Sequence, residues 1–188
     1  RAAVDGDAVP ELDVAGERVD LKQAEKGGSL VVTTANGQAV NLTKHPTLAL
    51  MLAGGALCND AILETDTQSN NGYHAIGDPT EGALVVAAAQ MGLEKPDLDR
   101  VLPRIAEVPF DSTRKRMTTV HQYVPETALL PATLAGILTN GTEGTEPQTL
   151  AFTKGAFDRL LDVSTKAWVN GQTECMTEAL RERLVTAR

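Results

Sequence analysis

The sequence predicts an α+β (mixed α/β) fold, a mainly antiparallel sheet flanked by helices, and three observations carry it. Arg104 to Phe110 alternates, with Ala106, Val108 and Phe110 on one face, and Met117 to Tyr123 follows as its antiparallel neighbour across Asp111–Arg116. Asp78-Pro79-Thr80-Glu81 is a strong helix start: a capping Asp, Pro in the first turn, and Glu three positions on. Strands joined by hairpins, with helices between and after them, indicate this class, built on a mainly antiparallel sheet.

The elements follow in order. Residues 1–28 are polar, Gly-containing and weakly patterned, and read as an irregular N-terminal edge. Leu30-Val31-Val32-Thr33-Thr34 is rich in β-branched residues and precedes Asn36-Gly37, a hairpin signal that makes Gln38–Leu42 the return strand. Pro46 to Leu57 reads as a buried helix on Leu48, Leu50, Met51, Leu52 and Ala53, with Pro46 in its first turn. Asn59 to Gly77 reads as a polar loop containing Asn70-Asn71-Gly72, followed by the helix that Asp78 caps, which runs to Met91 and stops at Gly92. Residues 124–148 read as a variable excursion. Thr149–Thr153 is a strand, Lys154-Gly155 turns it into a helix over 156–163, and Met176–Arg188 is an amphipathic helix. The whole, residues 1–188, is expected to be a single domain.

Composition narrows the function. A chain of 188 residues with 42% apolar and 22% charged residues can bury a real core. Aromatics are only 3%, so any exposed ring is a scarce resource. The net charge of −8 argues against nucleic acid or an anionic membrane as partner, while Arg114-Lys115-Arg116 can still make a local positive patch. Cys58 and Cys175 are far apart and read as reduced thiols; the three histidines have no metal-ligand spacing. The opening Arg1–Pro10 lacks the apolar segment of a signal peptide, and no run of about twenty apolar residues is present to span a bilayer.

Four motifs in order hold the chemistry: Cys58-Asn59-Asp60-Ala61, Gly77-Asp78-Pro79-Thr80-Glu81-Gly82-Ala83-Leu84, Pro109-Phe110-Asp111-Ser112-Thr113-Arg114-Lys115-Arg116-Met117, and Phe152-Thr153-Lys154-Gly155-Ala156. Between them they supply an aromatic face, a carboxylate and two lysines. A purine stacks on a ring, its exocyclic amine donates to a carboxylate, and its phosphates attract ammonium groups. Each residue also has an ordinary reading. Phe110 and Met117 could pack in the core, Glu81 could serve only its helix cap, and Lys115 and Lys154 could be solvated surface charges. Neither a Walker loop nor a Gly-x-Gly-x-x-Gly pattern is present.

The ordered set resembles the nucleotide-binding domain of the type II P-type cation-transporting ATPases, the calcium and sodium–potassium pumps, most clearly from Leu48 to Phe157. The resemblance implies an antiparallel sheet flanked by helices that holds Mg-ATP for phosphoryl transfer to an aspartate in a separate domain. It assigns nucleotide contact to Glu81, Phe110, Ser112, Lys115, Met117, Lys154, Gly155 and Ala156, with Phe110 stacking the adenine and Glu81 at its amine. Cys58–Ala61 is expected to support the pocket rather than touch ATP. Two departures stand out: Ser112 where calcium-pump relatives often carry Arg, and Phe157 where many members have Pro after Lys-Gly-Ala.

The family's phosphorylated Asp-Lys-Thr-Gly-Thr motif is absent from this sequence. The chain is therefore expected to be a soluble fragment of an integral membrane pump, on its cytoplasmic side, with the phosphorylation and actuator domains as partners. It should have no direct membrane contact of its own, no catalytic residue and no metal ligand. It would bind ATP without hydrolysing it, and the family's sheet would continue beyond Arg188. The alternative is a non-catalytic interaction or regulatory module of the same fold.

Overall fold

Alanine and leucine dominate the first long helix, α1 (Pro46–Leu57), because it is covered on more than one side. Its Leu48, Ala49, Ala53, Ala56 and Leu57 are buried. They meet Val85 and Ala88 of α2 (Pro79–Gln90) in one cluster with Leu93, Leu98, Val101, Leu102 and Tyr123. Small residues set how closely α1 is approached. A Cβ on Gly54 would stand 2.9 Å from the Phe152 ring, and one on Gly55 would stand 3.7 Å from Leu84 of α2. Helix α2 begins at the predicted cap, where Asp78 Oδ1 accepts from the Thr80 and Glu81 amides, and it ends before Gly92, whose φ of 79° is the left-handed conformation glycine tolerates.

These relations come from a computed structural model that describes residues 11–14, 17–23, 30–34, 40–65, 73–124, 134, 149–169 and 172–186, with side chains from 40 onward except at 65 and 172. Its strands are β1 (Glu11–Val14), β2 (Glu17–Gln23), β3 (Leu30–Thr34), β4 (Ile62–Thr65), β5 (Tyr73–Ile76), β6 (Arg104–Asp111), β7 (Arg116–Gln122), β8 (Thr149–Gly155), β9 (Lys166–Val169) and β10 (Gln172–Cys175). They pair antiparallel throughout, as β1-β2-β3, β4-β5, β6-β7-β8 and β9-β10. The remaining helices are α3 (Lys95–Val101), α4 (Phe157–Val163) and α5 (Glu178–Thr186). The mixed α+β class with antiparallel pairing is the one the sequence predicts.

The central sheet β6-β7-β8 presents two different faces. On β7, Met117, Thr119 and His121 are buried, alternating with half-buried Thr118, Val120 and Gln122. Register carries Lys154, Phe152 and Leu150 of β8 onto the buried face opposite those three residues. On the other face Thr118 and Thr153 share a hydroxyl hydrogen bond of 2.9 Å.

Several sequence expectations are corrected. Residues 11–14 and 17–23, expected to be irregular, form β1 and β2, and β2 rather than Gln38–Leu42 is the described partner of β3. Val40 and Asn41 are outside any strand, and Leu42–Lys44 makes a 3-10 turn because Asn41 Oδ1 caps the Thr43 amide at 2.9 Å. The expected polar loop from Asn59 to Gly77 contains β4 and β5; these four-residue strands alternate half-buried with exposed positions, so their apolar signal is weak. Helix α3 and the β9-β10 hairpin have no counterpart in the sequence reading. The Asn36-Gly37 and Asn70-Asn71-Gly72 turns lie outside the described residues, as does the 124–148 excursion apart from Val124 and a buried Leu134.

Candidate functional site

The Cys58–Ala61 turn ties three elements together. Asn59 is fully buried, and its amide nitrogen donates to the carbonyls of Gly55 at 3.2 Å and Glu81 at 2.9 Å, so it joins the end of α1 to the first turn of α2. Its Oδ1 accepts from the Ala61 amide at 2.8 Å, closing the turn. Cys58 Sγ donates to the Met117 carbonyl of β7 at 3.6 Å. Arg104, at the start of β6, completes the arrangement. Its Nη1 meets Asp60 and Glu107 carboxylates, each at 2.7 Å, and its Nη2 donates to the Leu57 and Asn59 carbonyls at 3.2 and 2.6 Å. Burial disfavours the charge on this guanidinium, but the two carboxylates outweigh it and hold its pKa above the ordinary arginine value. The sequence alone marks Arg104 only as the first residue of a strand. The signal that could have found it is a cation opening a strand with a carboxylate, Glu107, three positions on.

Glu81 departs from the capping-box role its spacing suggested. Asp78 caps the helix, and the bonds it accepts from the Glu81 and Thr80 amides hold its carboxyl below the usual aspartate range. The Glu81 carboxylate instead turns away from its own cap. Its Oε2 accepts from the Asp60 amide at 3.0 Å and its Oε1 from Lys154 Nζ at 2.5 Å. Two motifs separated by 73 positions thus meet in one ion pair, with side-chain exposures of 21% for Glu81 and 25% for Lys154. The pair is reachable from solvent at one edge and backed by α2 and β8.

Beside it, a β-bulge shapes the end of the sheet. Val108 faces Thr118 and Asp111 faces Arg116, so the two residues Pro109 and Phe110 stand against the single Met117. Met117 in turn pairs directly with Lys154. Phe110, Met117 and Lys154 therefore form one row across three strands at the same end of the sheet. Phe110 is 64% exposed, a large ring left open to solvent, whereas Met117 is buried.

The hairpin tip follows. Asp111 Oδ1 accepts from the Thr113 and Arg114 amides at 3.0 and 2.8 Å, and Lys115 takes a left-handed φ of 51° to re-enter the sheet. Ser112 and Lys115 are exposed on this tip, and Arg114 is drawn back to the Pro109 carbonyl at 2.8 Å. Gly155 faces the same turn. A Cβ there would overlap the Lys115 carbonyl oxygen and lie 2.6 Å from Arg116 Cβ, and the Ala156 amide donates to that carbonyl at 2.9 Å. The close approach that this glycine permits is thus to the neighbouring hairpin.

The structure therefore brings together Glu81, Phe110, Ser112, Lys115, Met117, Lys154, Gly155 and Ala156 around one end of β6-β7-β8. Deeper in, His121 is buried and uncharged. Its Nδ1–H donates to the Leu102 carbonyl at 2.7 Å, its Nε2 accepts from the Thr119 hydroxyl at 2.9 Å, and burial holds its pKa below the ordinary histidine value. Its ring meets Phe152 edge-on at 5.6 Å, which fixes the strand that carries Lys154. Among the described residues no group of three or more His, Cys, Asp or Glu side chains could hold a metal ion, and no helix is long and apolar enough to cross a membrane.

The family model for the P-type ATPase cytoplasmic domain N matches residues 47–187. Calcium-transporting ATPase 1 of Bacillus cereus is 35% identical over 138 residues, 73% of this chain and 12% of that protein. The calcium-transporting ATPase of Bacillus subtilis is 32% identical over 138 residues, 73% of this chain and 13% of that protein. Calcium-transporting ATPase type 2C member 1 of Bos taurus is 29% identical over 149 residues, 78% of this chain and 13% of that protein. The chain thus spans only a small part of the length of these relatives. It belongs to the P-type cation-transporting ATPases, as their cytoplasmic domain N.

Proposed function

We propose that residues 1–188 form one domain that holds Mg-ATP for phosphoryl transfer to an aspartate carried by another domain of a cation pump. The observation that carries this reading is the meeting of Glu81 and Lys154 on the cross-strand row that also holds the exposed Phe110 ring. Phe110 offers a platform for the adenine. The Glu81 carboxylate accepts from the exocyclic amine with the lone pairs that Asp60 and Lys154 leave over. Lys154 and Lys115 supply positive charge for the triphosphate, and the Ser112 hydroxyl supplies a further hydrogen-bonding group at the rim. Met117 forms the floor beneath the base, with Gly155 and Ala156 forming the wall behind Lys154.

Magnesium fits this site as a passenger on the phosphates, since the described residues offer it no ligand cluster of their own. When bound it would neutralise phosphate charge. The chain's own residues bind and orient the nucleotide, and the reaction depends on delivering it in line with the acceptor aspartate. Calcium as the transported ion is proposed from the named relatives, a place on the cytoplasmic side of a membrane from the matching family model, and closure onto the phosphorylation and actuator domains from the resemblance of the motifs. The chain alone binds ATP without turning it over.

Titrating Mg-ATP into the chain while following backbone amide signals tests this. Shifts are expected near Phe110, Glu81 and Lys154, and a silent spectrum there would sink the proposal. Lys154→Glu places a second carboxylate against Glu81 and should abolish those shifts.

A further inference from the structure

We propose that Arg104 is a positioning residue for the nucleotide pocket, acting through the Asp60 peptide group on the Glu81 carboxylate. Arg104 lies outside the four motifs, at the opposite end of β6 from Phe110. Its fork binds four oxygens at once: the Asp60 and Glu107 carboxylates on Nη1, and the Leu57 and Asn59 carbonyls on Nη2. Three of these four belong to the turn at the end of α1, so the guanidinium fixes that turn from both its side-chain and its backbone faces.

What the turn delivers is one peptide N–H. The Asp60 amide donates to Glu81 Oε2 at 3.0 Å, and this bond sets the rotation of the carboxylate whose other oxygen holds Lys154. Asn59 anchors the Glu81 backbone from the same turn, at 2.9 Å. The backbone of Glu81 and one carboxylate oxygen are therefore both held by a segment that Arg104 clamps. A lysine could neutralise the charge at the end of α1, but a single ammonium cannot span carboxylates and carbonyls on opposite sides of the turn.

This inference rests on Glu81 reading the adenine edge, and its test separates the two ideas. A carboxylate well placed for an exocyclic amine disfavours the carbonyl that guanine presents at the same position. Losing the placement should thus narrow the preference for ATP over GTP, whereas general destabilisation below the melting transition should not. Arg104→Gln is expected to narrow the ATP-to-GTP affinity ratio by about three- to tenfold. Arg104→Lys should fall between it and the natural chain, and the core variant Val101→Ala should keep the natural ratio.

Without any nucleotide, the Asp60 amide proton of Arg104→Gln should move upfield and exchange with solvent about tenfold faster. If Arg104→Gln keeps both the natural ratio and the natural Asp60 amide, the proposal is overturned. If the natural chain binds neither nucleotide, the pocket assignment fails, and the ligand-free Asp60 amide alone decides whether Arg104 positions Glu81. Should Arg104→Gln not fold, the same two readings on Arg104→Lys decide in the same way.

Discussion

The Cys58–Ala61 turn and the Pro109–Arg116 hairpin tip are both short polar motifs, yet the fold uses them in opposite ways. In the turn, Asn59 is fully buried and both its amide nitrogen and its amide oxygen are bonded within the protein. At the tip, Phe110, Ser112, Thr113 and Lys115 are exposed, and Asp111 is the side chain that shapes the loop. A motif whose polar atoms are all satisfied internally is architecture. One that leaves a ring and an ammonium facing solvent has groups to spare for a ligand.

The largest effect should come from the turn. Asn59→Asp replaces a donor to two carbonyls with a buried carboxylate facing them, and should cost about 4 kcal/mol of stability. A urea-unfolding midpoint equal to that of the natural chain would contradict the role of this turn as the joint between α1 and α2.

A second substitution probes where the two regions touch. Gly155→Ala drives a methyl group into the Lys115 carbonyl and the Arg116 backbone, so it should destabilise by about 2 kcal/mol and disturb the hairpin tip. Amide signals of Thr113–Arg116 should move with it. If they stay in place while stability falls, the strain is relieved elsewhere.

The tip should behave in the contrary sense. Phe110→Ala removes an exposed ring, so stability should change by less than about 0.5 kcal/mol. Nucleotide affinity should nevertheless drop by the worth of one stacked base, about 1–3 kcal/mol. Calorimetric titration beside thermal melting reads both; a large loss of stability with no loss of affinity would reverse the comparison.

The smallest effect is electrostatic. His121 is held neutral by burial, so its folded pKa lies below the unfolded value of about 6.5. The unfolded chain then takes up the proton first as pH falls. Stability from this group is complete above about pH 6.5 and is lost towards the lower folded value. Arg104 and Lys95 push in the same direction and Asp99 opposes them. The difference in urea midpoint between about pH 7.5 and about pH 5.5 should shrink in His121→Gln; an unchanged difference would assign the acid sensitivity to other groups.

Legibility in the sequence followed how local each signal was. Helix α2 could be read because Asp78, Pro79 and Gly92 act within a few residues of one another. Strands β4, β5, β9 and β10 could not, being four-residue segments whose described side chains are exposed or half-buried and carry little apolar periodicity. The hairpin tip was legible as a connection, while the bulge that sets Phe110 against Met117 was not, because a bulge is a property of two strands in register. Glu81 illustrates the same limit. Its spacing from Asp78 is a local fact that suggested a capping box, and the stronger partners Asp60 and Lys154 lie 21 and 73 positions away.

By itself, then, the sequence determined the family, the mixed class with antiparallel strands, and which side chains could serve a purine and its phosphates, since composition and motif chemistry are carried along the chain. Only tertiary structure decided that Glu81 joins Lys154, that Gly155 makes room for the neighbouring hairpin, and that Arg104 holds the turn beneath the pair. Those choices depend on distances between residues remote in sequence, where hydrogen bonds and ion pairs compete for the same oxygens and the better geometry wins.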